Sequence, residues 1–527
     1  MAGGAVANTG SLGYSHLIDP NRKWYNNRRL ILLNLWICLL LITSSTNGYD
    51  GSMMNGLQSL TQWSEYFHKP HGGKLGLLNA IQNIGSLAAY PFAPYASDGI
   101  GRRHTILLGA TIMIGATAIQ TASQSVGMFI GARYVRFLIG FGLTFAANAA
   151  PMLVTEISYP SYRGPLTSTY NSLWYLGSII AAWTTFGTFK IHNTWAWRIP
   201  SALQALPSVL QIALIWFVPE SPRWLVSKGR EEQALKVLAY YHADGNFEDP
   251  LVKHEFEEIK AAIELDRTVA ANIGWKSLIS TPGNRRRMRI IVAIAFFSQW
   301  SGNGLASYYL NQILTDIDIK DPNTQLLING ILQIWNLAWA LLASSLVDKL
   351  GRRLLFMLSA VGMFIFFSAQ TICFAVHTEK GTKAAADTLI AFIFLFYAAY
   401  DLAFSPLIVA YTVEILPYPI RAKGFNVFNF TISVALIFNQ YVNPVALGNI
   451  GWKYYIVYVC WISFECVFLF FCERYVVETK GLTLEETAVI FDGDDVTNQF
   501  VQAAVIKADD EKVSDSSVHQ TELPDKL

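Results

Sequence analysis

The stretch Asp98-Gly99-Ile100-Gly101-Arg102-Arg103 occurs a second time, 250 residues later, as Asp348-Lys349-Leu350-Gly351-Arg352-Arg353. Two further patterns repeat at an offset of 258 residues: Glu156-x6-Arg163 with Glu414-x6-Arg421, and Pro219-Glu220 with Val477-Glu478. A single conserved order of three charged motifs, present twice, indicates that the chain consists of two homologous halves in tandem.

The composition places these halves in a lipid bilayer. Of the 527 residues, 52% are hydrophobic and only 15% are charged, and the mean hydropathy is +0.32. This balance favours a membrane protein that crosses the bilayer many times, and a duplicated bundle is typical of transporters. The net charge of +1 offers no basic surface for nucleic acid, so no nucleic-acid partner is expected.

Twelve apolar stretches are long enough to span a bilayer as helices. In the first half they are 30–50, 76–96, 104–122, 128–153, 167–189 and 199–218. In the second half they are 290–312, 324–346, 354–376, 387–413, 424–447 and 453–472. The predicted fold class is therefore an all-α membrane protein with 12 transmembrane helices in two six-helix bundles.

These spans define five segments. We expect an N-terminal segment (1–29), a first bundle (30–218), a polar linker (219–289), a second bundle (290–472) and a mostly flexible tail (473–527). Within the linker, Glu231–Tyr241 and His254–Leu265 have helical periodicity with mixed charges, which predicts short amphipathic linker helices.

Basic residues predict the orientation. They cluster before the first span and in alternate short loops: Lys23, Arg28, Arg29, Arg102, Arg103, Arg163, Arg352, Arg353, Arg421 and Lys423. The positive-inside rule assigns these loops, the linker and both termini to the cytoplasm.

The sequence gives no sign of metal or enzyme chemistry. The five cysteines have no metal-ligand or disulfide spacing: Cys38, Cys373, Cys460, Cys466 and Cys472. No nucleophile–base pair stands out, so we expect neither an enzyme nor a metal site.

Several motifs resemble a known family. Gly48-Tyr49-Asp50-Gly51, Arg136-x3-Gly140-x-Gly142 and Pro219–Arg223, taken with the repeated motifs, resemble the sugar porters of the major facilitator superfamily from about Asn47 to Gly481. The stretches 298–304 and 195–200 are similar to those of fungal lactose and cellodextrin permeases.

The resemblance implies a function as well as a fold. It implies a plasma-membrane importer of a disaccharide such as lactose, cellobiose or a cellodextrin, working by alternating access as a monomer. The proton gradient would be the driving force and no cofactor would be needed. A proton-independent facilitator and a non-transporting sugar sensor are the alternatives, although the sensor would need a long signalling tail.

Asp50 is the predicted proton-coupling residue. It is placed at the end of the first apolar span, where a carboxylate is costly unless it is paired or neutralised. Arg136, inside the fourth span, is its expected partner, and in proton-coupled sugar porters protonation of the matching Asp frees the Arg. The alternative is a static structural ion pair.

The resemblance also implies a sugar site between the halves, built from amides and aromatic rings. The matching positions are Asn171, Gln299, Asn303, Tyr308, Tyr309 and Asn336. Each of them could instead make a hydrogen bond between helices. Asp401 and Glu465 lie within apolar spans, and either could assist proton movement or pair with a neighbouring hydroxyl or amide.

Charged residues of the repeated motifs form a predicted cytoplasmic gate. They are Asp98, Arg102, Glu156, Arg163, Glu220, Arg223, Asp348, Arg352, Glu414, Arg421 and Glu478. They could serve only to anchor loops on one side. The alternative is an ionic latch between the halves, in which several pairs together bias a two-state equilibrium.

Three spans of the second half depart from the family pattern. Gly304 stands where the family has Asn, Val409 stands where it has Trp, and Ile432-Ser433 stand where it has Gln-Trp. The loss of two large side chains predicts a wider cleft that admits a second sugar ring.

We therefore expect the Val409→Trp variant to lose uptake of labelled lactose or cellobiose more than uptake of labelled glucose, because the indole would occupy the space of the second ring. Uptake is compared with the wild type at matched expression in cells without their own sugar transporters. Equal losses of disaccharide and monosaccharide uptake would contradict the wider-cleft interpretation.

Overall fold

The computed structural model describes residues 23–122, 126–270, 275–471, 477–479 and 490–491. These residues form α-helices joined by short 3₁₀ turns and loops, and none of them lies in a β-strand. The first half contains α1 Arg28–Gln58, α2 Thr61–Tyr66, α3 Gly72–Ala89, α4 Ala93–Ile100, α5 Arg102–Ala122, α6 Val126–Ile157, α7 Arg163–Thr188, α8 Trp195–Leu203 and α9 Leu206–Leu214.

The linker and the second half follow in the same way. The linker contains α10 Pro222–Ser227, α11 Glu231–His242 and α12 Pro250–Ala270. The second half contains α13 Pro282–Trp300, α14 Asn303–Asp316, α15 Pro322–Leu350, α16 Arg352–Lys380, α17 Lys383–Asp401, α18 Leu407–Ile415, α19 Tyr418–Ile450 and α20 Tyr454–Phe471.

Every predicted apolar span coincides with a helix or with two consecutive helices. By length and composition, eight helical stretches within the described residues are long and apolar enough to cross a membrane. One expectation was wrong in detail: α1 continues to Gln58, so Asp50 lies inside the helix rather than at its end.

Four predicted spans are broken helices. The breaks separate α3 from α4, α8 from α9, α13 from α14, and α17 from α18. Between α13 and α14, Gly302 has a φ of +91°, which glycine adopts without the steric penalty of other residues. Pro406 precedes α18, and a proline cannot donate the backbone hydrogen bond that would continue the preceding helix.

Three helices begin with the same local device, a capping side chain followed by proline. Ser221 accepts from the N–H of Trp224 at the start of α10, and Thr281 accepts from the N–H of Asn284 at the start of α13. Asp321 likewise caps α15. These caps satisfy N–H groups that have no partner within the helix.

The two halves meet along three pairs of helices: α3 with α19, α7 with α15, and, less extensively, α1 with α14. The first pair is in close backbone contact: a Cβ at Gly76 would lie 2.6 Å from the backbone oxygen of Tyr441. Glycine at this position therefore lets α3 approach α19 in a way that any side chain would prevent.

The predicted linker helices are confirmed as α11 and α12. A buried pair holds them together, because His242 Nδ1 lies 2.6 Å from Glu255 Oε2. The other ring nitrogen of His242 lies 3.2 Å from the backbone oxygen of Ile157 at the end of α6. The linker is thus fixed to the first bundle by a polar contact inside an apolar layer.

Candidate functional site

The repeated motif builds the same structure twice at one end of the bundle, which we call the basic end. Gly101 (φ +101°) precedes α5, and Gly351 (φ +88°) precedes α16. The Glu220 carboxylate accepts from the backbone N–H of Arg103, with N–O distances of 3.2 and 3.3 Å. In the second half, Glu478 accepts from the N–H groups of Arg352 and Arg353, both at 3.0 Å.

This geometry explains the glycine of the motif. A Cβ at Gly101 would lie 2.5 Å from Glu220 Oε2, and a Cβ at Gly351 would lie 2.7 Å from Glu478 Oε2. The glutamate therefore occupies the space that any other residue would fill, and its charge lies at the positive end of a helix. The pKa of Glu220 is raised by burial, although the N–H donors of Ser221 and Arg103 oppose that shift.

The other predicted gate residues gather in two clusters. Arg102 lies 3.1 Å from Asp98 and 3.2 Å from Glu156, all three within the first half. In the second half Arg352 lies 3.1 Å from Glu414, which also accepts from the Thr479 hydroxyl at 2.5 Å.

Four more residues were predicted to belong to the gate. Arg421 donates from Nε to the backbone oxygen of Leu416 at 3.1 Å, and Arg223 lies half-buried on α10. The side chains of Arg163 and Asp348 lie outside the described part of the structure. The ion pairs Arg102–Glu156 and Arg352–Glu414 each join groups of one half, so a latch between halves remains a prediction.

Asp50 and Arg136 are both buried in the first bundle, with 1% and 7% of their surfaces exposed. Arg136 lies near enough to attract Asp50 electrostatically, but the two do not form an ion pair. Instead, Arg136 donates to Gln82 Oε1 at 2.9 Å. Neither Asp50 oxygen makes a hydrogen bond of normal geometry, although the buried Gln204 amide lies near enough to stabilise its ionised form.

The close packing around this pair depends on glycines. A Cβ at Gly48 would lie 1.8 Å from the backbone oxygen of Trp174, and a Cβ at Gly140 would lie 1.9 Å from that of Gln82. The family signatures around Asp50 and Arg136 therefore bring α1 against α7 and α6 against α3, which is why glycine stands there.

Two predicted sugar-site residues lie at the break between α13 and α14. Asn303 donates to the backbone oxygen of Ser298 at 3.2 Å and to the hydroxyl of Tyr400 at 3.1 Å, and its own side-chain oxygen is unpartnered. Gln299 is half-buried, and its backbone oxygen accepts from Asn439. These two residues are brought together.

The remaining predicted residues are more dispersed. Tyr308 is half-buried, whereas Tyr309 is fully buried and accepts from Asn79 of α3 at 3.0 Å. Asn336 on α15 is buried, with its side-chain oxygen unpartnered. Asn171 lies on α7, but its side chain is outside the described residues.

Residues that the sequence motifs missed hold the α13–α14 break in place. Tyr397 donates to the backbone oxygen of Asn303 at 2.7 Å, and Tyr400 donates to that of Ser298 at 2.7 Å. Glu465 on α20 accepts from the Ser301 hydroxyl, 3.1 Å from each carboxylate oxygen. In the sequence, the two tyrosines are marked only by their spacing of about one helical turn. Apolar and aromatic residues on any buried helix face have the same spacing, so it does not identify a functional contact.

The space beside Gly304 is also occupied. A Cβ there would lie 3.0 Å from Asn439 Nδ2 and 3.5 Å from Asn443 Nδ2, so amides of α19 stand where a side chain at 304 would reach. Val409 and Ile432 are half-buried against the core of the second half. The wider-cleft interpretation therefore concerns Val409 and Ile432 and remains a prediction.

Hydrogen bonds join the two halves toward the end opposite the basic end. They are Asn55–Asn329 at 3.1 Å, Gln58 to the backbone oxygen of Tyr308 at 2.9 Å, Asn311–Ser59 at 3.1 Å, Asn79–Tyr309 at 3.0 Å and Asn83–Gln440 at 2.6 Å. In this conformation the halves are therefore tied at the opposite end, while the ion pairs given above for the basic end lie within each half.

Two bundles with repeated charged motifs and a polar centre define a class, the multi-pass membrane transporters. Residues 36–491 match the family model described as "Sugar (and other) transporter", and the chain belongs to that family. It is a sugar transporter of the major facilitator superfamily rather than an enzyme, and its predicted fold class, twelve transmembrane helices in two bundles, is confirmed.

Individual proteins show the same likeness. The MFS-type transporter oryC of Aspergillus oryzae is 30% identical over 86% of this chain and 84% of its own length. The high-affinity glucose transporter of Kluyveromyces lactis is 28% identical over 83% and 81%, respectively. The proton:xylose symporter XylE bound to 6-bromo-6-deoxy-D-glucose has a similar fold, with a TM-score of 0.67 and 22% identity over 87% of this chain and 100% of that one.

We expect the Gly101→Ala variant to be less stable by about 1–3 kcal/mol, because alanine at this φ is strained and its Cβ would meet the Glu220 carboxylate. Thermal unfolding in detergent is the measurement. Gly99→Ala is the matched control, since a Cβ there has open space and Gly99 lies within α4.

The control variant should unfold at or above the wild-type temperature, because alanine favours helix over glycine by about 1 kcal/mol. If Gly101→Ala and Gly99→Ala were equally stable, the glutamate would not hold the position that the structure gives it.

Proposed function

We propose that this protein is a proton-coupled sugar importer of the plasma membrane, with both termini in the cytoplasm. The observation that carries the proposal is Asp50, a fully buried carboxylate whose oxygens make no hydrogen bond of normal geometry, close to the buried side chains of Arg136 and Gln204. A charged carboxylate in that setting is costly, so a proton or the Arg136 guanidinium must compensate it.

This arrangement suggests how coupling would work. When Arg136 approaches, Asp50 is stabilised in its ionised form. When Arg136 moves further toward Gln82, to which it is hydrogen-bonded here, the ionised form loses more of that compensation and a proton becomes favourable. A movement that shifts Arg136 between Asp50 and Gln82 would therefore take up and release one proton. The likeness to the proton:xylose symporter supports this reading.

The sugar site proposed here lies where α13 breaks into α14. Gln299, Asn303 and Asn336 offer amides, and Tyr308 offers a half-buried ring, which suit sugar hydroxyls and sugar C–H faces. Broken helices near the middle of a transporter mark binding sites, because their free backbone groups are available to a ligand. Tyr309 serves as a contact between the halves in this conformation.

For the substrate, we propose a disaccharide such as lactose or cellobiose, on the basis of Val409 and Ile432. The relative from Kluyveromyces lactis is a glucose transporter, which makes a hexose the second candidate. The charged clusters of the basic end would form the cytoplasmic gate. A monomer contains both halves, and a cofactor has no part in this scheme.

Transport of labelled lactose, cellobiose and glucose in a cell lacking its own carriers tests the proposal. We expect concentrative uptake of at least one sugar, and we expect a protonophore to abolish the accumulation. Uptake that accumulates sugar equally with and without the protonophore would contradict proton coupling. A preference for glucose over both disaccharides would contradict the proposal that the substrate is a disaccharide.

We expect the Asp50→Asn variant to lower the accumulation ratio to about one, because a carrier without its coupling group only equilibrates the sugar. Exchange of labelled for unlabelled sugar should persist, since it requires no net proton movement. Glu65→Gln, at an exposed position of α2, is the control and should accumulate sugar as the wild type does. An Asp50→Asn protein that still concentrates sugar would show that the coupling proton binds elsewhere.

A further inference from the structure

Asp401 is a second buried carboxylate, and its partner belongs to the other half. It ends α17 at the break before α18, and none of its surface is exposed. Its Oδ1 accepts from the hydroxyl of Tyr175, on α7 of the first half, at 2.5 Å. Its Oδ2 has no hydrogen-bond partner. The contact therefore joins the halves near the middle of the bundle, away from both ends.

The surroundings of Asp401 contain no compensating cation among the described side chains. The titratable groups that face it are Tyr175 from α7, and Tyr397 and Tyr400 from its own helix. Both α17 tyrosines already donate to backbone oxygens of the α13–α14 break. Tyr308 of α14 and Glu465 of α20 interact electrostatically with Tyr400.

Asp401 differs from two other buried carboxylates in the location of its hydrogen-bond partner. Asp50 has a buried arginine nearby, and Glu465 accepts from Ser301 within its own half. Asp401 alone of these three is hydrogen-bonded to a residue of the opposite half. A charged carboxylate with one phenol and no cation is poorly compensated, so this group must gain a proton or further donors when its surroundings change.

We propose that Asp401 is a second proton-binding residue of the transport cycle, and that its hydrogen bond with Tyr175 is a proton-dependent tie between the two halves. This inference rests on the proposed function as a transporter that moves protons with sugar. It adds a second proton to that scheme and places its binding site near the middle of the bundle, where the two halves must separate during transport.

The chemistry of the tie is simple. The ionised Asp401 accepts from the Tyr175 hydroxyl in a charge-assisted hydrogen bond, which is about twice as strong as a neutral one. A proton taken from the water-filled pathway converts the carboxylate into a carboxylic acid, a weaker acceptor. The halves then separate more easily at this level, and release of the proton restores the tie.

The test is the pH dependence of sugar exchange at equilibrium, measured in liposomes without any gradient. Labelled lactose and labelled glucose are the probes, and the one that the wild type carries is used throughout. We expect Asp401→Asn to remove one ionisation step, so that the slope of log exchange rate against pH falls by about one, since a single titrating group changes a rate at most tenfold per pH unit.

Tyr175→Phe provides an independent variant that keeps the ring and removes only the donor. We expect its ionisation step to persist but to move about one to two pH units higher, because the ionised carboxylate loses a charge-assisted hydrogen bond. Glu65→Gln, which removes an exposed carboxylate of α2 outside the α13–α14 break, is the control and should leave the position of this step unchanged.

An Asp401→Asn profile parallel to the wild-type profile would overturn the proposal. If that variant does not fold, an unshifted profile for Tyr175→Phe overturns it instead. Accumulation driven by an imposed pH gradient is measured on the same liposomes. A wild-type protein that exchanges sugar but never accumulates it would contradict proton coupling. In that case, loss of the ionisation step in Asp401→Asn would still support a proton-dependent hydrogen bond between Asp401 and Tyr175.

Discussion

A polar or charged group buried between apolar helices must have a partner or lose its charge, and most of the functional geometry follows from this constraint. Arg136 donates to Gln82, Glu465 accepts from Ser301, and Asp401 accepts from Tyr175 with one oxygen while its other oxygen has no partner. The oxygens of Asp50 make no hydrogen bond of normal geometry, although Arg136 and Gln204 lie near them. Asp50 and Asp401 are therefore the buried carboxylates at which a proton has the most to contribute.

The duplication of the chain is preserved at the basic end and lost at the centre. Glu220 and Glu478 close the start of α5 and α16 in the same way, beside glycines of the same backbone conformation. At the centre, α1 is one continuous helix, whereas the corresponding first span of the second half breaks at Gly302. The ends of the two halves are therefore equivalent, and their centres are not, which agrees with the proposal of a single sugar site at the α13–α14 break.

Much of this organisation was predictable because it depends on local rules. Apolar stretches of bilayer length located all twelve spans, and mixed charge with helical periodicity located α11 and α12. Arg102 and Glu156 were both predicted for the gate, but their contact with each other was not predicted, because they come from different motifs. The length of α1 and the positions of the helix breaks were not predicted, because an apolar pattern continues through a break that a glycine or a distant hydrogen bond produces. The partners of Asp401 and Glu465 were equally out of reach, since each is far away in the chain.

The sequence by itself determined the number of spans, the division into halves, the family and the set of charged residues, because hydropathy and repeated motifs are properties of consecutive residues. Only the tertiary structure decided which of those residues meet. It joined Tyr175 to Asp401 across 226 positions of the chain, placed the amides of α19 beside Gly304, and kept the pairs Arg102–Glu156 and Arg352–Glu414 each within one half. The physical reason is that contacts between helices depend on how their faces turn and how closely they approach, which no local pattern specifies.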